Sequence, residues 1–212
     1  MPAPPAPDRD CGRCLRLAAF REEHRASEPD WHNAPVPSFG SLDARLLIVG
    51  LAPGLRGANR TGRPFTGDFA GDLLYATLGQ FGFARGAYAA APGDGLTLHD
   101  CRITNAVRCV PPQNRPKAAE IAACRGFLEA EIAAMSGLRA ILALGQVAHG
   151  AVLRALGLRS GAFRFAHGAV HRLDDGRRLF DSYHCSRLNT NTGRLTPQMF
   201  ADVFAAIRAA PD

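Results

Sequence analysis

Four short apolar runs, each followed by a helical pattern, constrain the fold of this sequence more than any other feature. They are "ARLLIVG" at 44–50, "CRITNAV" at 101–107, "RAILALG" at 139–145 and "RRLFDSYH" at 177–184. Runs of this kind are typical of strands buried in a parallel sheet. Their alternation with helices predicts an α/β protein, a three-layer α/β/α sandwich around a central four-stranded parallel sheet.

Local signals place the helices between these strands. The predicted helices cover 69–82, 117–135, 147–156 and 197–209. Asp68 is available to cap the first helix, and Thr196 followed by Pro197 opens the last one. The stretch "GAFRFAHGAVHRL", 161–173, is predicted to form a small hairpin.

The chain length suits one domain that buries a substantial core, since the sequence has 212 residues. We predict a flexible Pro-rich leader over 1–10 and a single domain over 11–212. No run reaches the roughly 20 apolar residues that a membrane helix needs. The N-terminus also lacks the basic start and apolar core of a secretory signal. These features predict a cytoplasmic monomer without a membrane partner.

The positive net charge of +6 favours an anionic partner, and nucleic acid is the commonest one. Arginine supplies 24 of the 25 basic residues, with Lys117 as the exception, and alanine is abundant. Codon bias is therefore an alternative explanation of the excess. The charge indicates nucleic acid only together with other features.

The glycine-rich loop after the first strand, 51–68, does not fit a nucleotide-binding motif. It lacks the lysine and hydroxyl of a phosphate-binding P-loop, and Pro53 interrupts a dinucleotide-binding turn. We expect a long loop that crosses the sheet edge and carries Phe65 and Asp68 to a site. The alternative is a surface loop whose glycines only shape turns.

Two more polar segments follow predicted strands, and chemistry in parallel sheets collects at the carboxyl ends of strands. Asn105 ends the second strand, and its planar amide suits reading a base edge. His184 ends the fourth strand, ahead of a polar loop. Each residue alone fits a turn, a cap or a solvated loop. Their coincidence at strand ends favours a functional site.

Four of the six cysteines are candidate metal ligands. Cys11 and Cys14 have the spacing of a metal half-site, and Cys109 and Cys124 bracket the loop after the second strand. Four thiolates suit either zinc or an iron–sulfur cluster. Cys101 is expected to be a buried thiol within a strand.

Taken together, these segments resemble the uracil-DNA glycosylase superfamily, most closely its family 5. The resemblance rests on "GLAPG" at 50–54, "GANRTGRPFTGD" at 57–68, "ITNAVRCVPPQN" at 103–114 and "HCSRLNTNTGRLT" at 184–196. It extends from about residue 11 to 208, and the order of the four cysteines matches the iron–sulfur ligands of the family. It implies a 4Fe-4S cluster and excision of uracil, and of other deaminated bases such as hypoxanthine or xanthine, from DNA.

The resemblance also implies roles for individual residues. Asp68 would be the catalytic carboxylate, and His184 would stabilise charge on the leaving base. The substrate-binding residues would be Leu51, Ala52, Phe65 and Asn105. The DNA-binding residues would be Arg60, Arg63, Ser186, Arg187, Leu188, Asn189 and Arg194, with Leu188 as a wedge into the duplex. The cluster ligands would be Cys11, Cys14, Cys109 and Cys124.

Two positions refine the resemblance. Leu51 stands where the related family 4 has an acidic residue, which favours family 5 and leaves Asp68 as the carboxylate. Cys185 stands where the family pattern has proline after the histidine. Proline would fix φ at this turn, so we expect Cys185 to loosen the loop or to expose a thiol.

A non-catalytic, metal-stabilised nucleic-acid-binding domain is the alternative function. It predicts salt-sensitive binding, zinc in place of iron and no abasic product. A redox sensor built on the cluster is a second alternative, and it requires binding that depends on potential.

Overall fold

The four apolar runs form the parallel strands of one central sheet in the computed structural model, which describes residues 4–210. The strands are β1 Leu46–Gly50, β2 Ala84–Arg85, β3 Thr97–Leu98, β4 Cys101–Asn105, β5 Ala140–Leu144, β6 Val170–Arg172 and β7 Arg178–Ser182. The central sheet has the order β4-β1-β5-β7-β6, and β2 pairs with β3 separately. The predicted sheet of four strands was therefore one strand short, because β6 adds an antiparallel edge.

The predicted helices are all present, with ends shifted by at most two residues. The helices are α1 Leu15–Ser27, α2 Ala58–Thr61, α3 Phe69–Gln80, α4 Ala118–Ala134, α5 Gln146–Ala155, α6 Arg187–Asn191 and α7 Pro197–Ala209. The predicted caps are confirmed: Asp68 accepts a hydrogen bond from the Gly71 amide, and Thr196 accepts one from Met199. The short helices α2 and α6 and the longer α1 were not predicted.

Alternating side chains of the strands feed two cores, one on each face of the sheet. On β1, Leu46 and Ile48 join the core under α3 and α7, whereas Leu47 and Val49 join the core under α4 and α5. Such strands are apolar on both faces, as the continuous run "LLIVG" requires. The three-layer α/β/α architecture is confirmed.

Strand register brings the carboxyl ends of the parallel strands to one edge of the sheet. Gly50 at the end of β1 lies opposite Asn105 at the end of β4. Leu144 at the end of β5 lies opposite Ser182 at the end of β7. The loops after these strands, which carry the predicted site residues, therefore leave from the same edge.

The predicted hairpin at 161–173 was wrong. A 3-10 turn occupies Ser160–Ala162, and β6 pairs with β7, placing Val170 opposite Phe180. The observed hairpin is therefore formed by β6 and β7, later in the chain than predicted. None of the helices in the described range 4–210 is long and apolar enough to cross a membrane.

The predicted leader, 1–10, extends beyond the described residues at positions 1–3. Its later part contacts α1, because Arg25 donates hydrogen bonds to the Asp10 carboxylate and to the Arg9 carbonyl. The two hydrophobic cores, which lie between residues 11 and 210, pack on opposite faces of the same central sheet.

Candidate active site

Phe65 and Asn105 meet over the backbone of Gly50 at the sheet edge. A Cβ on Gly50 would overlap Asn105 Oδ1 and would lie 2.6 Å from Phe65 Cζ. Only glycine leaves room for both side chains here. Asn105 is 3% exposed, and its Oδ1 has no hydrogen-bond partner among the described residues. A buried carbonyl oxygen without a partner is rare in proteins and is an acceptor ready for a ligand.

The backbone of Phe65 lies in the left-handed region, with φ at 52°, which is uncommon for a bulky residue and indicates local strain. Neighbouring groups hold it there. The Tyr88 hydroxyl donates to the Phe65 carbonyl at 3.2 Å, and the Tyr75 hydroxyl donates to the Pro64 carbonyl at 2.6 Å. The ring of Phe65 is therefore a fixed platform beside Asn105.

Arg63 is part of this support and does not face solvent. It is 5% exposed and forms a two-pronged ion pair with Asp94, with both N–O distances at 2.8 Å. Its guanidinium also lies near the rings of Tyr75 and Tyr88. The predicted contact between Arg63 and DNA is corrected accordingly, because the guanidinium is already occupied by buried partners.

His184 follows β7 and faces Phe65. The two rings are stacked, with centroids 5.8 Å apart and planes 27° apart. The amide of Asn189 donates to the His184 carbonyl at 2.8 Å and fixes the turn. Burial lowers the pKa of His184 to about 4. The imidazole is therefore neutral at physiological pH and donates from one nitrogen.

Asp68 lies at the start of α3, against the glycines of the loop that precedes it. A Cβ on Gly54 would lie 2.8 Å from Asp68 Oδ2, and one on Gly57 would overlap the same oxygen. Burial raises the pKa of Asp68 above 3.8, although the amides of Gly71 and Ala70 partly oppose this shift. The carboxylate is therefore held in a narrow space formed by glycine backbone.

Cys185 connects the two halves of the site. Its thiol is fully buried and donates to the Ala70 carbonyl of α3 at 3.4 Å. The expectation of an exposed thiol was wrong, because the side chain points inward beneath the turn. The contact joins the His184 loop to the helix that Asp68 caps.

The segment after His184 is exposed and carries the predicted DNA contacts. Leu188 on α6 is 72% exposed, an unusual position for a large apolar side chain. Ser186 caps α6, and Arg187 lies over the ring of Phe69. Arg194 lies 4.5 Å from the centroid of Tyr183.

The remaining predicted contacts lie around the first loop. Leu51 and Ala52 are half-buried beside the strand ends, and the Val107 amide donates to the Leu51 carbonyl at 3.0 Å. Arg60 on α2 is exposed. Arg60 lines a separate recess with Trp31 and His32.

The four candidate ligand cysteines line one small, mostly apolar pocket between the start of α1 and α4. The pocket is lined by Cys11, Cys14, Cys109 and Cys124. Burial, together with the other thiols, raises the pKa of Cys109 to about 12. Cys101 lies elsewhere, buried in β4, as predicted. Thiols in such surroundings ionise only if a cation takes the place of the protons.

The surroundings of these sulfurs include two hydrogen-bond donors. Within residues 4–210, no three cysteine sulfurs lie within 4.8 Å of one another. Two donors also point at the sulfurs: the Arg108 amide lies 3.4 Å from Cys124, and Arg21 lies 3.9 Å from Cys109. Thiolates that accept such hydrogen bonds suit either zinc or an iron–sulfur cluster.

A histidine–aspartate cluster was not singled out from the sequence. Both oxygens of buried Asp181 accept hydrogen bonds, from His149 at 2.7 Å and His171 at 3.0 Å. The second ring nitrogen of His149 lies 3.0 Å from the Phe163 carbonyl. Both nitrogens of His149 thus face acceptors, which requires the protonated form. The cluster is a satisfied ion pair that joins α5, β6 and β7.

Comparison with known proteins gives consistent matches. Residues 37–208 match the uracil DNA glycosylase superfamily. The chain is 48% identical over 199 residues to the type-5 uracil-DNA glycosylase of Thermus thermophilus, covering 91% of this chain and 90% of that protein. It is 47% identical to the type-5 enzyme of Mycobacterium leprae, covering 92% and 88%, and 42% identical to that of Pyrobaculum aerophilum, covering 96% and 89%.

Proposed function

The chain belongs to the uracil DNA glycosylase superfamily, and we propose that it hydrolyses the bond between uracil and deoxyribose in DNA where Phe65, Asn105 and His184 meet. It is a monofunctional hydrolase that acts in DNA repair. The unpaired Oδ1 of Asn105, buried beside an aromatic ring, carries the assignment of the base pocket. This acceptor fits an N–H group of a base in the plane of its amide.

Phe65 and Asn105 hold the base after it leaves the duplex. Extrusion costs a few kcal/mol, and stacking on an aromatic ring returns about 1–3 kcal/mol. The Asn105 amide then reads the edge of the base. Gly50 lets both groups approach because it has no Cβ.

His184 stabilises the negative charge that develops on the leaving base. A neutral imidazole with a pKa of about 4 donates a hydrogen bond without carrying a charge that would need solvation. Preorganised donors of this kind are worth about 10²–10³ in rate. The fixed turn between His184 and Asn189 keeps the ring in place.

Asp68 acts at the opposite end of the breaking bond. Its carboxylate stabilises positive charge on the sugar and orients the attacking water. It also accepts a proton from that water. Two protein features support this role: burial keeps the charge poorly solvated, and the glycines at 54 and 57 leave the oxygen accessible from the loop side.

The exposed segment beyond His184 grips the DNA. Leu188 fills the gap that the base leaves, and its exposure supports that role. Ser186, Arg187, Asn189 and Arg194 contact the strand around it, and Arg60 contacts it from the other side of the pocket. Side chains of these types supply most contacts to DNA phosphates.

The cysteine pocket holds a 4Fe-4S cluster with Cys11, Cys14, Cys109 and Cys124 as ligands. The four cysteines that line one pocket and the two N–H donors beside their sulfurs support this assignment. Such a cluster supplies a structural cross-link with a net negative charge. Buried Arg21, 3% exposed, balances part of that charge.

Hypoxanthine and xanthine are further proposed substrates, since they are also deaminated bases that carry N–H donors. A cytoplasmic location and a monomeric state remain predictions from the sequence.

The decisive experiment is incubation with single- and double-stranded oligonucleotides that contain one uracil, followed by alkaline cleavage of abasic sites. We expect strand breaks at the uracil position only. A protein that binds these oligonucleotides without releasing uracil would instead be the non-catalytic alternative. An Asn105→Ala variant should lose base release but retain its fold.

A further inference from the structure

A groove lies on the α4–α5 face of the molecule, outside the base pocket. It has a volume of about 920 Å³ and is bounded by α4, α5 and the segment 160–165. Its apolar lining includes Ile121, Leu128, Val147 and the rings of Phe163 and Phe165. Val147 is 45% exposed, so this lining is open to solvent.

The rim of the groove is basic. The arginines that line it are Arg115, Arg125, Arg154 and Arg164. All four are exposed, and no aspartate or glutamate between residues 4 and 210 lines the groove. Arg125 pairs with Glu129 one turn further along α4. The other three form no salt bridge with any residue between 4 and 210. Unneutralised arginines around an apolar floor are complementary to a polyanion with flat apolar groups.

The groove continues into the active site. Leu51, which borders the base pocket, also lines the groove. Gln146, Arg164 and Phe165 line both the groove and a second recess of about 670 Å³ that contains His184. A strand that leaves the base pocket past His184 therefore meets this groove without crossing an acidic surface.

We propose that the groove holds a single-stranded segment of the DNA on one side of the excised nucleotide. The arginines bind its phosphates, and the half-buried rings of Phe163 and Phe165 contact its bases. Paired bases would present only their edges to these rings, so the aromatic floor favours an unpaired strand. The inference rests on the proposed glycosylase function for the identity of the strand, whereas the groove's affinity for DNA can be measured without catalysis.

The first test measures binding. The double variant Arg115→Ala/Arg154→Ala removes two groove arginines and leaves every residue of the base pocket in place. A matched variant, Arg85→Ala/Arg172→Ala, removes the same charge from exposed positions on β2 and β6. Affinity for a uracil-free single strand is measured by fluorescence anisotropy at 50 and 200 mM salt.

Each lost phosphate contact lowers the salt slope by about 0.7 for a single strand. Over this fourfold salt range, wild-type binding should therefore weaken about sevenfold more than binding by the groove variant. The matched variant should keep the wild-type slope. Equal slopes for the two double variants would overturn the proposal.

The second test measures uracil release from oligonucleotides whose single-stranded arm lies only 5′ or only 3′ of the uracil, and from a minimal oligonucleotide without arms. The groove variant should raise KM for one arm direction only. A loss of equal size on the minimal substrate would contradict the proposal, because the arginines would then act on the base pocket. If wild-type protein releases no uracil at all, the proposed function fails. The salt slopes then still test whether the groove binds single-stranded DNA.

Discussion

Burial shifts the pKa values of Asp68 and His184 in opposite directions. Burial raises the pKa of the Asp68 carboxyl above 3.8 and lowers the pKa of His184 to about 4. Both shifts favour the uncharged form of the side chain. At neutral pH the histidine is therefore an uncharged donor, while the carboxylate is ionised but poorly solvated. Such a pair suits a transition state with charge at both ends.

The pH profile of base release should therefore contain one acid limb. As pH falls through the raised pKa of Asp68, the carboxylate becomes protonated and the rate falls. His184 remains neutral until about pH 4, so no inflection is expected near 6.5, the ordinary histidine value. Single-turnover rates between pH 4 and 9 measure this profile.

Asp68→Asn removes the charge of the side chain and keeps its role as a helix cap. Asparagine caps a helix about as well as aspartate, so the fold and DNA binding should be retained. The rate should fall by more than about 10²-fold, and the acid limb above about pH 4, where His184 is still neutral, should disappear. Unchanged turnover, or an acid limb that persists in the variant, would show that another group titrates.

The sequence predicted Phe65 on the loop after the first strand and Asn105 and His184 at strand ends, and the structure brings these three side chains together. Periodicity alone could not show the buried pairing of Arg63, because its partner Asp94 lies 31 residues away in an irregular segment. The inward direction of Cys185 was equally hidden, since it depends on the position of α3.

At the scale of elements, the junction between β1 and its loop decides whether the pocket exists. Gly50 ends the strand directly under Phe65 and Asn105. The parallel register, which sets Gly50 beside Asn105, follows from pairing of two apolar runs. The pocket floor is therefore strand backbone and not side chain.

Gly50→Ala should close the pocket. The added methyl overlaps Asn105 Oδ1, and displacements of about 1 Å cost about 10²-fold in rate. Overpacking should also lower the free energy of unfolding by about 1–3 kcal/mol. Base release and urea unfolding, measured on the same preparation, separate the two effects.

Gly79→Ala is the matched control on α3. A Cβ there has no neighbour within 4 Å, and the position is exposed. Alanine in a helix should stabilise the protein by up to about 1 kcal/mol and leave the rate unchanged. A Gly50→Ala enzyme as active as this control would contradict the assigned pocket.

The elements that sequence reasoning missed are those with weak periodicity. Helix α1 buries only Leu17 and Arg21, so its apolar stripe is too narrow to predict a helix. Strand β6 has only three residues and is partly exposed. The long runs of β1 and β5, buried at every position, were predictable for the opposite reason.

On the scale of the whole molecule, the cysteine pocket ties the N-terminal segment to the sheet. Cys11 and Cys14 precede α1, whereas Cys109 follows β4 and Cys124 lies on α4. Because α1 buries few residues, a group bound by these sulfurs would supply much of the attachment of α1 to the rest of the protein. The salt bridge between Arg16 and Glu120, at 2.7 Å, adds a smaller contact between α1 and α4.

Cys14→Ser should therefore affect stability more than base recognition. We expect about four irons per wild-type chain and substantial loss of iron in the variant. If the group cross-links the chain about as strongly as a disulfide of about 3 kcal/mol, Tm should fall by about 10 °C. Iron and sulfide analysis and thermal unfolding make the measurement.

Cys101→Ala provides the comparison, since Cys101 is a buried thiol of β4 outside the pocket. It should keep its iron and lose only the small stability of a core methylene-sized group. Zinc in the wild-type protein, or full iron content in Cys14→Ser, would refute the assigned cluster.

The fixed position of Phe65 has a consequence for turnover. Its left-handed backbone is held by Tyr75 and Tyr88 before any base arrives. A pocket assembled in advance needs no closing motion to admit a base, and it has no opening motion to expel one. The released base therefore leaves only as fast as its own contacts break. Free uracil should compete with substrate for the same surface, and product inhibition would follow from the rigidity that makes recognition efficient.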